Sequence, residues 1–214
     1  MEAPDEQAVA VANFAFELGV LKRVRRAGWW HAGVWDPESV AEHSLRVAQL
    51  ASLIAAIEGA EPGRAALLAV WHDSQETRTG DIPHTARPYL DRPSPELITA
   101  DQTASLPDTA RKTVQEAVAE YEAQQTPETH CAKDADKLDC LIQAIEYQDS
   151  GYTRVQGWID SSRSGLRTDA ARRIADAASR TSSLAWRGRD ERGANARSRT
   201  GGCVPRSSAP TWTT

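Results

Sequence analysis

Apolar positions recur at three- and four-residue spacing along most of the chain, which is the signature of helices that each bury one face. Val9, Phe14, Phe16, Leu18, Val20 and Leu21 predict a first helix over about residues 5–24, ended by Gly28. A short aromatic stretch follows, Trp29-Trp30-His31-Ala32-Gly33-Val34-Trp35, too brief to define a sheet. Asp36-Pro37-Glu38 reads as a helix start, with Asp at the N-cap, Pro in the first turn and Glu against the positive helix end. That second helix runs to about Glu58, where Gly59, Pro62 and Gly63 break it. A third covers about residues 64–77 and stops at Thr79-Gly80-Asp81-Ile82-Pro83. Pro88, Pro93 and Pro95 predict an irregular stretch, after which helices resume at about 107–125, at 127–150 with Thr126 as cap, and at 168–184. No β-alternation interrupts them, so the expected fold class is all-α, a helical bundle.

The pattern fades at Arg187. From there to the end the chain holds six arginines with Gly, Ser, Thr and Pro and almost no apolar side chains. Such a segment cannot offset its own ordering entropy. The expected organisation is therefore one domain over residues 1–186 and a disordered Arg/Gly/Ser-rich tail over 187–214.

Charge and cysteine content narrow the function. The net charge of −5 includes that basic tail, so the body is more acidic than the whole. An acidic body does not suit long nucleic acid, which is held through many phosphate contacts, but it allows a single nucleotide. Three cysteines without close pairing suggest neither a disulfide framework nor a thiolate zinc site. The acidic start of the chain is unlike a signal peptide, and no apolar run approaches a membrane span of roughly 20 residues. A cytoplasmic protein with no membrane partner is expected; a homodimer is left open.

Three segments combine metal-competent side chains with apolar helical context. They are Glu38-Ser39-Val40-Ala41-Glu42-His43, Trp71-His72-Asp73-Ser74-Gln75-Glu76 and Lys133-Asp134-Ala135-Asp136-Lys137-Leu138-Asp139. A lone His on an apolar helix is usually a hydrogen-bonded core residue, and a lone His-Asp pair is a weak signal. Two adjacent polar residues at the end of the apolar run 65–71 are nevertheless hard to bury unless something pairs with both. A divalent cation does so, taking imidazole nitrogen and carboxylate oxygen together.

Taken in order with Arg26-Ala27-Gly28-Trp29 and Thr79-Gly80-Asp81-Ile82-Pro83, these segments resemble the HD-domain phosphohydrolases, and within them the 5′-deoxynucleotidase branch. The resemblance covers about residues 21–157. It implies a metal site of His43, His72, Asp73 and Asp136, leaving positions for water and a phosphate oxygen. It implies that Glu76 and Asp81 share the proton transfers, without saying which activates water. It also places Arg26 and Trp29 at the substrate, phosphate against the guanidinium and sugar near the indole, although Trp29 could be a hydrophobic plug with Trp30 or Trp35 in its role. Asp134 and Asp139 read as surface residues or supports of the site. Glu76, at a helix end, sits poorly against the negative dipole, which favours a catalytic role.

His84 and His130 are poorly spaced for the extra ligands of a di-iron oxygenase, so a mononuclear hydrolytic site is expected. Gln75 stands where the family usually has a small or apolar residue, and a histidine is not expected at His84. Both bear on substrate rather than on ligands. The activity implied is removal of phosphate from nucleoside 5′-monophosphates, 2′-deoxy preferred. A mixed His and carboxylate set suits Mn, Co, Fe or Zn better than Mg. The alternatives are an HD phosphohydrolase for another nucleotide (a triphosphate or a modified nucleoside phosphate) and a non-catalytic nucleotide-binding module.

Overall fold

The computed structural model describes residues 5–188. They form nine α-helices: α1 Glu6–Leu18, α2 Val40–Glu58, α3 Pro62–Trp71, α4 Glu76–Thr79, α5 Pro95–Thr103, α6 Asp108–Ala123, α7 Pro127–Asp149, α8 Gln156–Ser164 and α9 Asp169–Ala178. Three 3₁₀ segments, Gly19–Lys22, Ala27–Ala32 and His84–Tyr89, join them. Among the described residues there is no strand, only one isolated bridge between Arg25 and Ser39. The all-helical expectation holds. No helix of the described residues is long and apolar enough to cross a membrane. The tail expected from residue 187 lies, from 189 onward, outside the described residues.

Helices α2, α3 and α7 pack on one another and supply the main core. Val47, Ala51, Ile54 and Ala55 from α2 meet Ala65, Leu68 and Ala69 from α3 and Ala132, Ala135, Leu138 and Leu141 from α7. The alanines let these helices approach closely, so a side chain rising from one reaches its neighbour directly. That closeness is what positions the site. A smaller cluster of Phe14, Leu106 and Val114 seats α1 against the α5–α6 region.

Several boundaries differ from the periodicity reading, each for a local reason. The first helix ends at Leu18 with Gly19 as cap, and the expected continuation tightens into 3₁₀. Only Phe14 of α1 is buried, and Phe16 faces outward. The second helix starts at Ser39 rather than Asp36, because Ser39 and Glu42 form a complete capping box while Asp36 pairs with Arg25. Helix α5 lies in the stretch expected to be irregular: Ser94 caps it and Pro95 occupies its first turn, where proline is tolerated. Helix α8 was not foreseen, and α9 stops at Ala178. The third helix ends at Trp71, so His72 and Asp73 stand in a tight turn before α4 and not inside a helix.

Candidate metal centre

Backbone pairing brings the first site residue to the start of α2. The Arg26 amide donates to the Glu38 carbonyl at 3.0 Å and the Val40 amide to the Val24 carbonyl at 2.9 Å. Arg26 thereby sits over the first turns of α2, from which His43 projects into the core with no exposed surface. His72 and Asp73 come from the end of α3, and Asp136 from the middle of α7.

The four candidate ligands converge. His43 Nε2 lies 3.6 Å from Asp73 Oδ2 and 3.3 Å from Asp136 Oδ1. His72 Nε2 lies 3.0 Å and 4.0 Å from the same two oxygens. Metal–ligand bonds of roughly 2.0–2.2 Å put neighbouring donors of one octahedral ion roughly 3 Å apart and opposite donors roughly 4 Å apart. The donor atoms of His43, His72 and Asp73 all lie within 4.8 Å of one another and fit a single divalent cation, and Asp136 comes within 4.0 Å of both imidazoles. A second observation agrees: both Nε2 atoms are buried without a hydrogen-bond partner. Unpaired polar atoms in a core are costly, and a cation is the group that would satisfy these two.

Each imidazole is fixed through its other nitrogen. His72 Nδ1 contacts the Ala69 carbonyl at 2.6 Å, and His43 Nδ1 contacts Asp139 Oδ2 at 2.6 Å. Both contacts turn Nε2 toward the centre, as the outer hydrogen bond of a metal-bound histidine does. Asp139 is fully buried and also accepts from Arg46 Nε, whose guanidinium reaches Glu146 and Gln143. Asp139 thus supports His43. Asp134, read from sequence as a surface or supporting residue, is neither exposed nor near the ligands. It is fully buried and accepts from the Arg167 and Thr168 amides, tying the entry of α9 to α7.

The charges are sharply divided. Burial opposes ionisation of Asp136, but the imidazoles of His43 and His72 beside it hold its carboxyl down at about 2. Asp73 is likewise held well below the usual carboxylate range, with His72 and Arg26 outweighing its burial. Glu76 goes the other way. Burial first, then the charges of Asp73 and Asp81, push it up to about 10 despite Arg26. It opens the short α4 instead of closing a helix, so burial among carboxylates, not the dipole, sets it apart. Its Oε2 is buried and unpartnered.

Arg26 bridges two of these carboxylates, donating to Asp73 Oδ2 at 3.2 Å and to Asp81 Oδ1 at 3.3 Å. The other Asp81 oxygen accepts from the Ala27 amide at 2.5 Å. Trp29 is buried, stacked on Trp158 at 5.4 Å and edge-on to Tyr147 at 5.1 Å. Its Nε1 donates to Glu38 Oε1 at 3.1 Å. Trp30 and Trp35 are exposed and line no part of the cleft. Glu38 and Trp158 were missed as site residues: Glu38 read only as a helix-start charge, and Trp158 belongs to the unforeseen α8.

The cleft has two lobes sharing Asp73, Glu76, Arg87 and Asp136. One, of about 200 Å³, is lined by Arg26, Trp29, Asp81, His84, Cys140 and Trp158. The other, of about 240 Å³, is lined by His72, Gln75, Arg87, Arg92, Tyr121 and Lys133. Gln75, unusual at its place, is buried and donates to Thr99 of α5 at 3.1 Å, so it braces this second lobe. His130 instead contacts the Gln124 carbonyl, and neither it nor His84 joins a cluster of candidate ligands among the described residues.

Comparison with known proteins agrees with this geometry. The sequence pattern of the HD domain matches residues 18–177. The chain is similar to human "5′-deoxynucleotidase HDDC2", 35% identical over 156 residues, covering 71% of this chain and 76% of that protein. It is 32% identical over 152 residues to a "5′-deoxynucleotidase" from Erwinia tasmaniensis, covering 65% of this chain and 75% of the relative. A conserved hypothetical protein from Pyrococcus furiosus shares the fold with a TM-score of 0.65 at 31% identity, covering 79% of this chain and 99% of that one. With that match spanning nearly all the described helices, the chain belongs to the HD-domain family of metal-dependent phosphohydrolases.

Proposed function

We propose that this chain hydrolyses nucleoside 5′-monophosphates, 2′-deoxy preferred, to nucleoside and inorganic phosphate. The observation that carries the reading is the pair of buried, unpartnered Nε2 atoms of His43 and His72 set within 4.0 Å of Asp73 and Asp136 oxygens. These four residues would hold a divalent cation, and their mixed nitrogen and oxygen donors suit Mn, Co, Fe or Zn better than Mg. The chemistry such a cation supplies when bound is acidification of water and neutralisation of charge developing on phosphorus.

The protein groups would complete the reaction. Arg26, fixed between Asp73 and Asp81, presents a guanidinium to the phosphate. Trp29 and Trp158 form an aromatic wall for the nucleoside in the smaller lobe. Phosphoester cleavage needs one proton removed from the attacking water and one delivered to the departing ester oxygen. Glu76, with a free Oε2 and a place in both lobes, and Asp81, which lines only the nucleoside lobe, share these two transfers between them. The deoxy preference rests on the relatives named above as 5′-deoxynucleotidases.

A phosphate-release screen over ribo- and deoxyribonucleotides, crossed with a panel of divalent metals, tests this reading. Deoxynucleoside monophosphates should release phosphate fastest, with Mn or Co. Release of intact triphosphate would make the protein a triphosphohydrolase. Metal and nucleotide binding without turnover would make it a non-catalytic module.

A further inference from the structure

The proposed reaction gives the basic side chains of the larger lobe no task, yet that lobe opens onto the same carboxylates. Away from those carboxylates its charged side chains are mostly basic. Arg87, Arg92 and Lys133 converge there, and beyond the ridge formed by Asp73, Glu76 and Asp136 its one acidic member is Glu122. Glu122 is already matched to Lys133 at 3.1 Å. Lys133 is held in place, 17% exposed and with its ammonium 3.7 Å above the Tyr121 ring. That ring in turn packs 5.3 Å from His72. Arg87 and Arg92 have neither an acidic partner within 4.0 Å nor a side-chain hydrogen bond among the described residues, so two cations are left over.

A base would find little here, because the one aromatic face is covered by Lys133. A tetrahedral oxyanion fits better, since guanidinium groups match its oxygens in both charge and direction. We infer that this lobe is a second phosphate subsite, contiguous with the metal centre and facing the nucleoside lobe across it. Its occupant is either a further phosphate of an extended nucleotide or the inorganic phosphate released by hydrolysis. The inference rests on the proposed position of the cation and of the nucleoside.

Arg92→Glu tests it, because Arg92 is exposed and lines only this lobe. Melting temperature, metal content and kcat/KM for a nucleoside monophosphate should stay at wild-type levels. Two other constants should not. If the occupant is released phosphate, its inhibition constant as a product should rise about tenfold or more, as loss of a charge-assisted contact predicts. If the occupant is a further phosphate, kcat/KM for a nucleoside diphosphate relative to the monophosphate should fall by about the same factor. Calorimetric titration of inorganic phosphate into the metal-loaded proteins provides a reading that needs no turnover. Wild-type protein that binds phosphate but hydrolyses no nucleotide would sink the proposed activity and leave the subsite standing. Equal phosphate affinity, equal inhibition and an equal diphosphate ratio in wild type and variant would overturn the subsite.

Discussion

Glu76, half-buried with one buried oxygen, and the fully buried Asp139 both lie beside the cluster, and their surroundings assign them opposite tasks. Asp139 has both oxygens occupied, one by His43 and one by Arg46. Glu76 keeps a buried oxygen free. Glu76→Gln should therefore retain metal and bind nucleoside monophosphate, yet lose turnover by about a hundred- to ten-thousand-fold, the usual share of a proton-transfer group. Metal content, ligand binding and kcat measured on one preparation check this; loss of metal would make Glu76 a ligand. Asp139→Asn weakens the contact that aligns His43, so metal affinity should drop about 10- to 100-fold, read by chelator competition. Activity should return when excess metal is added. The candidate ligands His43, His72, Asp73 and Asp136 could be picked out of the sequence because the motifs that carry the family resemblance are local and ordered. Asp139, Glu38 and Trp158 were less so, because each gains its role from a partner distant in the chain.

At the scale of elements, helices are legible in the sequence where they carry their own punctuation. Thr126 caps α7 and Pro127 sits in its first turn, as the residues alone indicate. Helices are not legible where tertiary contacts override local signals. The run 64–77 keeps helical spacing through His72, yet the backbone turns after Trp71, and that turn brings His72 and Asp73 to the cleft. Helix α8 is mostly polar, with Ile159 and Ser162 its buried residues, so periodicity gave little warning. The entry to α9 depends on one buried group. Asp134 accepts from the Arg167 amide at 2.8 Å, the Thr168 amide at 2.6 Å and the Thr168 hydroxyl at 2.9 Å. Asp134→Ala strands these donors and should cost about 2–4 kcal/mol in chemical denaturation. Metal affinity should be unchanged, since none of these contacts reaches the cluster. A joint loss of stability and metal would show that α9 helps to hold the site.

Across the whole molecule, the cluster joins the three helices that make the core. His43 comes from α2, His72 and Asp73 follow α3, and Asp136 comes from α7, so a single cation would tie all three together. Without it, two imidazole nitrogens are left unpaired in the interior and the like charges of Asp73 and Asp136 oppose each other. A ligand that binds only the folded state stabilises it by mass action, by about 2.7 kcal/mol when present at a hundred times its dissociation constant. For a chain of this size about 1 kcal/mol moves the melting temperature by roughly 2–4 °C. Stripping the metal with a chelator should therefore lower the melting temperature by roughly 5–10 °C, and restoring Mn or Co should recover it. His72→Ala is the control: with one ligand missing, its melting temperature should respond little to chelator or metal. A wild-type melting temperature indifferent to both treatments, in protein shown by elemental analysis to gain and lose the ion, would mean that the ion sits elsewhere. The four residues would then be a hydrogen-bonded polar core, and the proposed phosphatase site would fall with them.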